Sequence, residues 1–184
     1  TGTVWYNLIG TVNGTLSASS IGTTTAGTMT FDGVDDTLNI VLASLVSSDF
    51  TVIGVSGKVA GSNGRLISAR SNNFLLGHHG TGSRKYYSEG WVASSYSDSS
   101  NDVHIYCGTG DISGDVYSFR EDNVNYTQTA SGGSQGPNGF ALGSFQNGSE
   151  YGTGTITVLL VYNRVLTDAE IDQNFNAQKN RFGV

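Results

Sequence analysis

Short runs in which apolar and polar side chains alternate recur along the whole chain, separated by small polar and turn-forming residues. Alternation with a period of two marks a strand that buries one face. It predicts strands over residues 29–31, 38–42, 50–59, 65–69, 73–78, 91–96, 103–108, 116–120, 124–129, 140–145 and 155–162. Asp32-Gly33, Asn63-Gly64, Glu121-Asp122-Asn123 and Asn147-Gly148 stand between these runs as hairpin and turn signals. Residues 94–102 and 131–138 are polar and rich in glycine or serine, and are expected to be surface loops. One segment departs from the pattern. Thr167-Asp168-Ala169-Glu170 has the form of a capping box, in which the threonine hydroxyl and the glutamate carboxylate satisfy each other's backbone amides. Leu166, Ile171 and Phe175 lie at near-helical spacing around it, so a helix is expected from Asp168 to about Lys179. Many short strands with one terminal helix specify an all-β fold: a two-sheet antiparallel jelly-roll sandwich with one short C-terminal helix. The 184 residues show no linker or second core and read as one domain, 1–184.

Composition agrees. Only 13% of residues are charged and there are 26 glycines, which favours strands and turns over long helices. With one cysteine, Cys107, no internal disulfide can form. The net charge is −6 and the longest basic run is Arg84-Lys85, which argues against nucleic acid as a partner. Nothing approaches the roughly 20 apolar residues of a membrane helix, so no membrane association is expected. The chain opens on Thr1 without a methionine, as a processed product or an excerpt would.

Three stretches resemble one family. F-D-G-V-D-D-T-L-N-I (31–40) is similar to the early strand–turn–strand of laminin-G-like domains of the concanavalin A-like superfamily. L-L-V-Y-N-R-V-L-T-D-A-E-I (159–171) resembles their last strand and following helix. W-Y-N-L-I-G-T-V-N-G-T-L (5–16) resembles a degraded form of their opening motif, with Asn7 and Ile9 where Asp and Ser are common. Residues 116–129 sit where the family has a hairpin, with Asp122-Asn123 at its turn. The tail, 173–184, is similar to the ends of such domains in tailed-phage virion proteins.

The resemblance also directs the search for chemistry. β-Glucan hydrolases of this superfamily carry E-x-D-x-x-E on a strand, where period-two spacing aims carboxylates into a cleft. Here the glutamates are Glu89, Glu121, Glu150 and Glu170, and none begins E-x-D. The nearest imitation, Asp168–Glu170–Asp172, falls on the expected helix. Lyases of similar fold use a Q-I-H strand, of which V-H-I-Y (103–106) is a poor echo, leaving His104 a weak candidate base. G-G-S-Q-G (132–136) matches a nucleophile-elbow pattern by letter but lies in a loop, without the required strand and helix. His78-His79 and His104 with Cys107 lack zinc spacing; one of the two adjacent histidines is expected to be buried and the other to face solvent. Asp32, Asp35 and Asp36 offer carboxylates for structural calcium, but a polar hairpin turn is the favoured reading and no cofactor or metal is expected. Sequons at Asn13, Asn125 and Asn147 are at chance frequency for such a composition.

The segment 78–101 remains as the candidate ligand site. Aromatic faces stack on sugar rings while nearby polar groups fix hydroxyls, and the candidates are His79, Arg84, Tyr86, Tyr87, Trp91 and Tyr96. Tyr86 and Tyr87 are the better candidates for an exposed platform. Trp91 and Val92 cannot both face inward, and Trp91 is the expected inward member. The function expected is a non-catalytic phage virion module, in a capsid decoration, fibre or tail. It would sit on the virion surface or outside a cell, associate with itself or another virion protein, and carry a glycan-binding face. The alternative is a carbohydrate-binding module of a secreted protein, with a degenerate glycosidase or polysaccharide lyase behind both.

Overall fold

The computed structural model describes residues 4–8, 10–16, 27–43, 45–59, 62–94, 102–125, 133–146 and 148–184, with Trp5 and Asn125 described by backbone alone. Its strands are β1 (Val4–Trp5), β2 (Gly14–Leu16), β3 (Met29–Asp32), β4 (Leu38–Ile40), β5 (Phe50–Lys58), β6 (Ile67–Ala69) and β7 (Phe74–His79). They continue with β8 (Gly82–Ser88), β9 (Trp91–Ala93), β10 (Val103–Asp111), β11 (Val116–Glu121), β12 (Val124–Asn125), β13 (Phe140–Leu142) and β14 (Thr153–Tyr162). One helix, α1 (Asp168–Phe182), closes the chain. The strands form an eight-stranded sheet, β1-β2-β4-β13-β6-β7-β8-β9, and a six-stranded sheet, β12-β11-β10-β5-β14-β3. All named strand pairs are antiparallel. The fold is the all-β jelly-roll sandwich that the alternation pattern implies.

The main core lies between the sheets. Phe74, Leu76, Tyr86 and Val92 of the larger sheet meet Phe50, Val52, Tyr106, Tyr117 and Phe119 of the smaller one. The aromatic rings meet mostly edge to face, as at Phe74–Tyr86 with centroids 5.7 Å apart, an arrangement that suits the ring quadrupoles. A second cluster lies on the far face of the six-stranded sheet. There Ile53, Val55, Ile105 and Cys107 are roofed by Leu166, Ile171 and Phe175 at the start of α1. β5 is therefore buried along its whole length, between β10 and β14 within its sheet and between two apolar layers across it.

The expected capping box is present: Thr167 accepts from the Glu170 amide, while the Glu170 carboxylate accepts from the Thr167 amide at 2.9 Å. α1 runs to Phe182, past the expected end near Lys179, and stops at Gly183 in the left-handed region (φ 75). The largest departure from the sequence reading is β8, because residues 82–88 predict no strand. Its inward-facing positions alternate between the large Tyr86 and small or charged residues, so apolar periodicity is weak. Pairing with β7 and β9 holds it in the sheet instead.

Candidate functional site

Antiparallel pairing places directly opposed residues on the same face of a sheet. Leu75 opposes Tyr87, and Tyr87 opposes Trp91. Val92, the neighbour of Trp91, points into the inter-sheet core. Trp91 and Tyr87 therefore stand on the outer face of the eight-stranded sheet. Trp91 is 42% exposed, which corrects the expectation that it faces inward. Tyr87 meets it edge to face with centroids 5.1 Å apart, and His79 does so at 5.7 Å. The Lys85 ammonium lies 5.9 Å from the indole centroid.

A polar rim borders this aromatic group. Glu150 accepts from Arg65 Nε at 2.8 Å and lies 3.4 Å from His79 Nε2. Arg65 also donates to Asn73 Oδ1 at 2.7 Å and covers the Phe145 ring at 4.0 Å. Glu89 accepts from the Asn73 amide at 2.6 Å. Burial, and then the nearby Arg65 charge, lower the pKa of His79, so its imidazole is neutral at pH 7. The face thus combines a half-exposed indole with a neutral imidazole, a phenol, an ammonium and a carboxylate–guanidinium pair.

Two of the sequence candidates lie elsewhere. Tyr86 is fully buried, against Phe74 and Phe119, with its hydroxyl donating to the Thr109 carbonyl at 3.1 Å. It belongs to the core and is no platform, because strand alternation sends Tyr86 and Tyr87 to opposite faces. Arg84 also turns inward. It has a left-handed φ of 54 within β8, and its Nε donates to Glu121. Tyr96 lies outside the described residues, as do parts of the two expected loops and Asn147. Of His78 and His79, the first is buried and the second half-exposed, as alternation requires. Sequence reasoning missed Lys85, Arg65, Glu150, Asn73 and Glu89. Arg65 and Glu150 are 85 residues apart, and the parallel bridge Arg65–Tyr151 and the Arg65 amide donating to the Glu150 carbonyl bring their segments together.

The inward-facing charges form a second group at one end of the core. His104 Nδ1 lies 2.5 Å from Asp122 Oδ2. Asp122 Oδ1 accepts from the Ile105 amide, and the Asp122 amide donates to the Ile105 carbonyl, both at 2.9 Å. Asp122 and Asn123 both adopt positive φ (47 and 64), which makes the β11–β12 connection a tight turn without glycine. Glu121 is 2% exposed, and burial raises its carboxyl above the ordinary range against the opposing pull of Arg84. Lys58 Nζ, 2.5 Å from the Gly80 carbonyl, is lowered by burial and then by Lys85.

The other acidic motifs lie at the turn after β3 and at the start of α1. Asp32 Oδ1 accepts from the Val34 amide at 2.8 Å, and Asp36 Oδ2 from the Asp32 amide at 2.9 Å, so these two carboxylates hold their own turn. Asp168 and Asp172 flank the Arg120 guanidinium, and Glu170 pairs with Arg164. The acidic run is thus a helix start and not a strand-borne dyad. A cavity of about 10 Å³, bordered by Cys107, Arg120 and Phe175 under α1, has room for roughly one water molecule.

No family model matches the sequence, and no curated protein matches it. Solved structures do. Trypanosoma rangeli sialidase in complex with sialic acid superposes with a TM-score of 0.72 at 18% identity, over 97% of this chain and 32% of that one. The botulinum neurotoxin serotype D binding domain superposes with a TM-score of 0.68 at 12% identity, over 91% of this chain and 47% of that one. The receptor binding domain of the botulinum neurotoxin C/D mosaic serotype gives 0.68 at 10% identity over the same shares. This chain spans about a third of the sialidase and about half of the toxin fragments. At such identities the likeness is one of fold: a β-sandwich that occurs both within an enzyme and within binding domains.

Proposed function

We propose that the chain is a non-catalytic carbohydrate-binding module that takes sugar on the outer face of its eight-stranded sheet. The observation that carries this reading is Trp91: a half-exposed indole braced by Tyr87 and His79, beside Lys85 and the Arg65–Glu150 pair. An indole held at a fixed angle offers an apolar plate to the C–H face of a pyranose. The surrounding charges and amide offer hydrogen bonds at its edge. The occurrence of this fold in toxin binding domains supports binding as the use of the sandwich.

The test is a glycan and polysaccharide panel probed with the whole chain and with Trp91→Ala. Binding that falls at least tenfold in the variant, with an unchanged melting temperature, is the expected result. Binding that survives the substitution places the site elsewhere, and a blank panel for the whole chain removes the sugar reading. A virion or extracellular setting, with self-association or docking on another virion protein, belongs to the same proposal. It is supported by the similarity of residues 173–184 to phage virion domains and by the small share of charged residues, and gel filtration with light scattering tests the self-association.

A further inference from the structure

We propose a divalent transition-metal site at His104, Glu121 and Asp122, at the polar end of the inter-sheet core and independent of the outer aromatic face. One ligand atom from each of the three side chains lies within 4.8 Å of the others. Two ligands of one ion with bonds of about 2.0–2.2 Å lie at most about 4.4 Å apart, so small rotamer shifts let the three side chains close on a common ion. One imidazole and two carboxylates form a nitrogen–oxygen donor set that suits zinc or manganese better than calcium, which takes six to eight oxygens.

The positioning is fixed by backbone. His104 lies on β10 and Glu121 on β11, the next strand of the sheet. Asp122 is locked by its own amide and by Oδ1 to the two backbone groups of Ile105, which leaves Oδ2 directed at His104. The second observation is Glu121. Its side chain is 2% exposed, Oε1 accepts from Arg84, and Oε2 has no hydrogen-bond partner among the described residues. A buried carboxylate oxygen without a donor is costly, and an ion supplies what it lacks.

Charge points the same way. The two carboxylates and the Arg84 guanidinium sum to one negative charge. The two carboxylates and a divalent ion sum to zero. Arg84 is the exposed member of its ion pair, at 26% against 2% for Glu121, so it is the group able to swing out as an ion enters. In this arrangement Arg84 competes with the metal.

The competition provides the test. The whole chain is titrated with Zn2+ by calorimetry in a chelator-free buffer, beside Arg84→Ala, His104→Gln, Asp122→Asn and His79→Gln. One saturable equivalent is expected in the wild type. Affinity should rise about tenfold in Arg84→Ala, fall at least tenfold in His104→Gln and Asp122→Asn, and stay unchanged in His79→Gln. Zn2+ should also raise the melting temperature of Arg84→Ala more than that of the wild type. Absence of saturable binding in both wild type and Arg84→Ala overturns the site, and so does binding that His104→Gln and Asp122→Asn retain. If Arg84→Ala does not fold, the wild-type titration against His104→Gln decides. Loss in His79→Gln alone moves the metal to the outer face and also refutes the proposal.

Discussion

Tyr86 and Tyr87 are neighbours in sequence with opposite tasks, and replacing each in turn separates them. Tyr86 is fully buried, meets Phe74 edge to face at 5.7 Å, lies 6.3 Å from Phe119, and donates to the Thr109 carbonyl. Truncating a buried ring of this kind removes its transfer free energy and leaves a cavity among rings that cannot collapse fully. The cost of Tyr86→Ala is about 3–5 kcal/mol. Against a total stability of roughly 5–15 kcal/mol, that is a large share. For a chain of this size it lowers the melting temperature by roughly 6–20 °C. Tyr87→Ala loses an edge-to-face contact with a half-exposed indole, worth about 1 kcal/mol, and no core volume. Urea unfolding followed by far-UV circular dichroism measures both. Equal losses, or a larger loss for Tyr87→Ala, would refute the assignment of Tyr86 to the core and Tyr87 to the outer face, and with it the register of β8.

Other consequences are as direct. Burial pushes the Cys107 thiol up to about 12, so a thiol reagent at pH 8 should leave the folded chain unmodified and react fully in denaturant; rapid labelling of folded protein would contradict the packing of α1. Hydrogen bonds from the Arg164 guanidinium, and then from the Thr167 amide and hydroxyl, hold the Glu170 carboxyl down to about 2. Because its folded pKa lies below the unfolded value, its contribution to stability is complete above pH 4.5 and is lost as the pH falls through about 2. A carboxyl NMR titration of Glu170 should show that low midpoint, and a midpoint above 4 would mean the capping box and ion pair are open in solution.

The fold was legible because alternation, turn dipeptides and the capping box each act over a few residues. β5, β10, β14 and the start of α1 lie where their patterns place them. β8 was not legible, because its order comes from pairing with β7 and β9 and not from its own apolar content. The candidate site was half legible. His79, Tyr87 and Trp91 were within reach as a cluster of aromatic and polar residues. Their facing depends on the register of β8 and β9, which no local pattern reports, so the sequence alone puts Tyr86 outside and Trp91 inside. Arg65 and Glu150 meet across 85 residues. The Glu121-Asp122-Asn123 turn did carry a signal: a tight turn that omits glycine puts an aspartate where its carboxylate reaches back to the preceding strands, and Asp122 does so.

The two outer faces of the sandwich are unequal. The six-stranded sheet is roofed by α1, while the eight-stranded sheet displays Trp91. The molecule therefore has a front and a back. A copy resting on a surface through its indole holds α1 outermost, and whatever is attached along that helix is carried away from the surface without crossing the face that touches it.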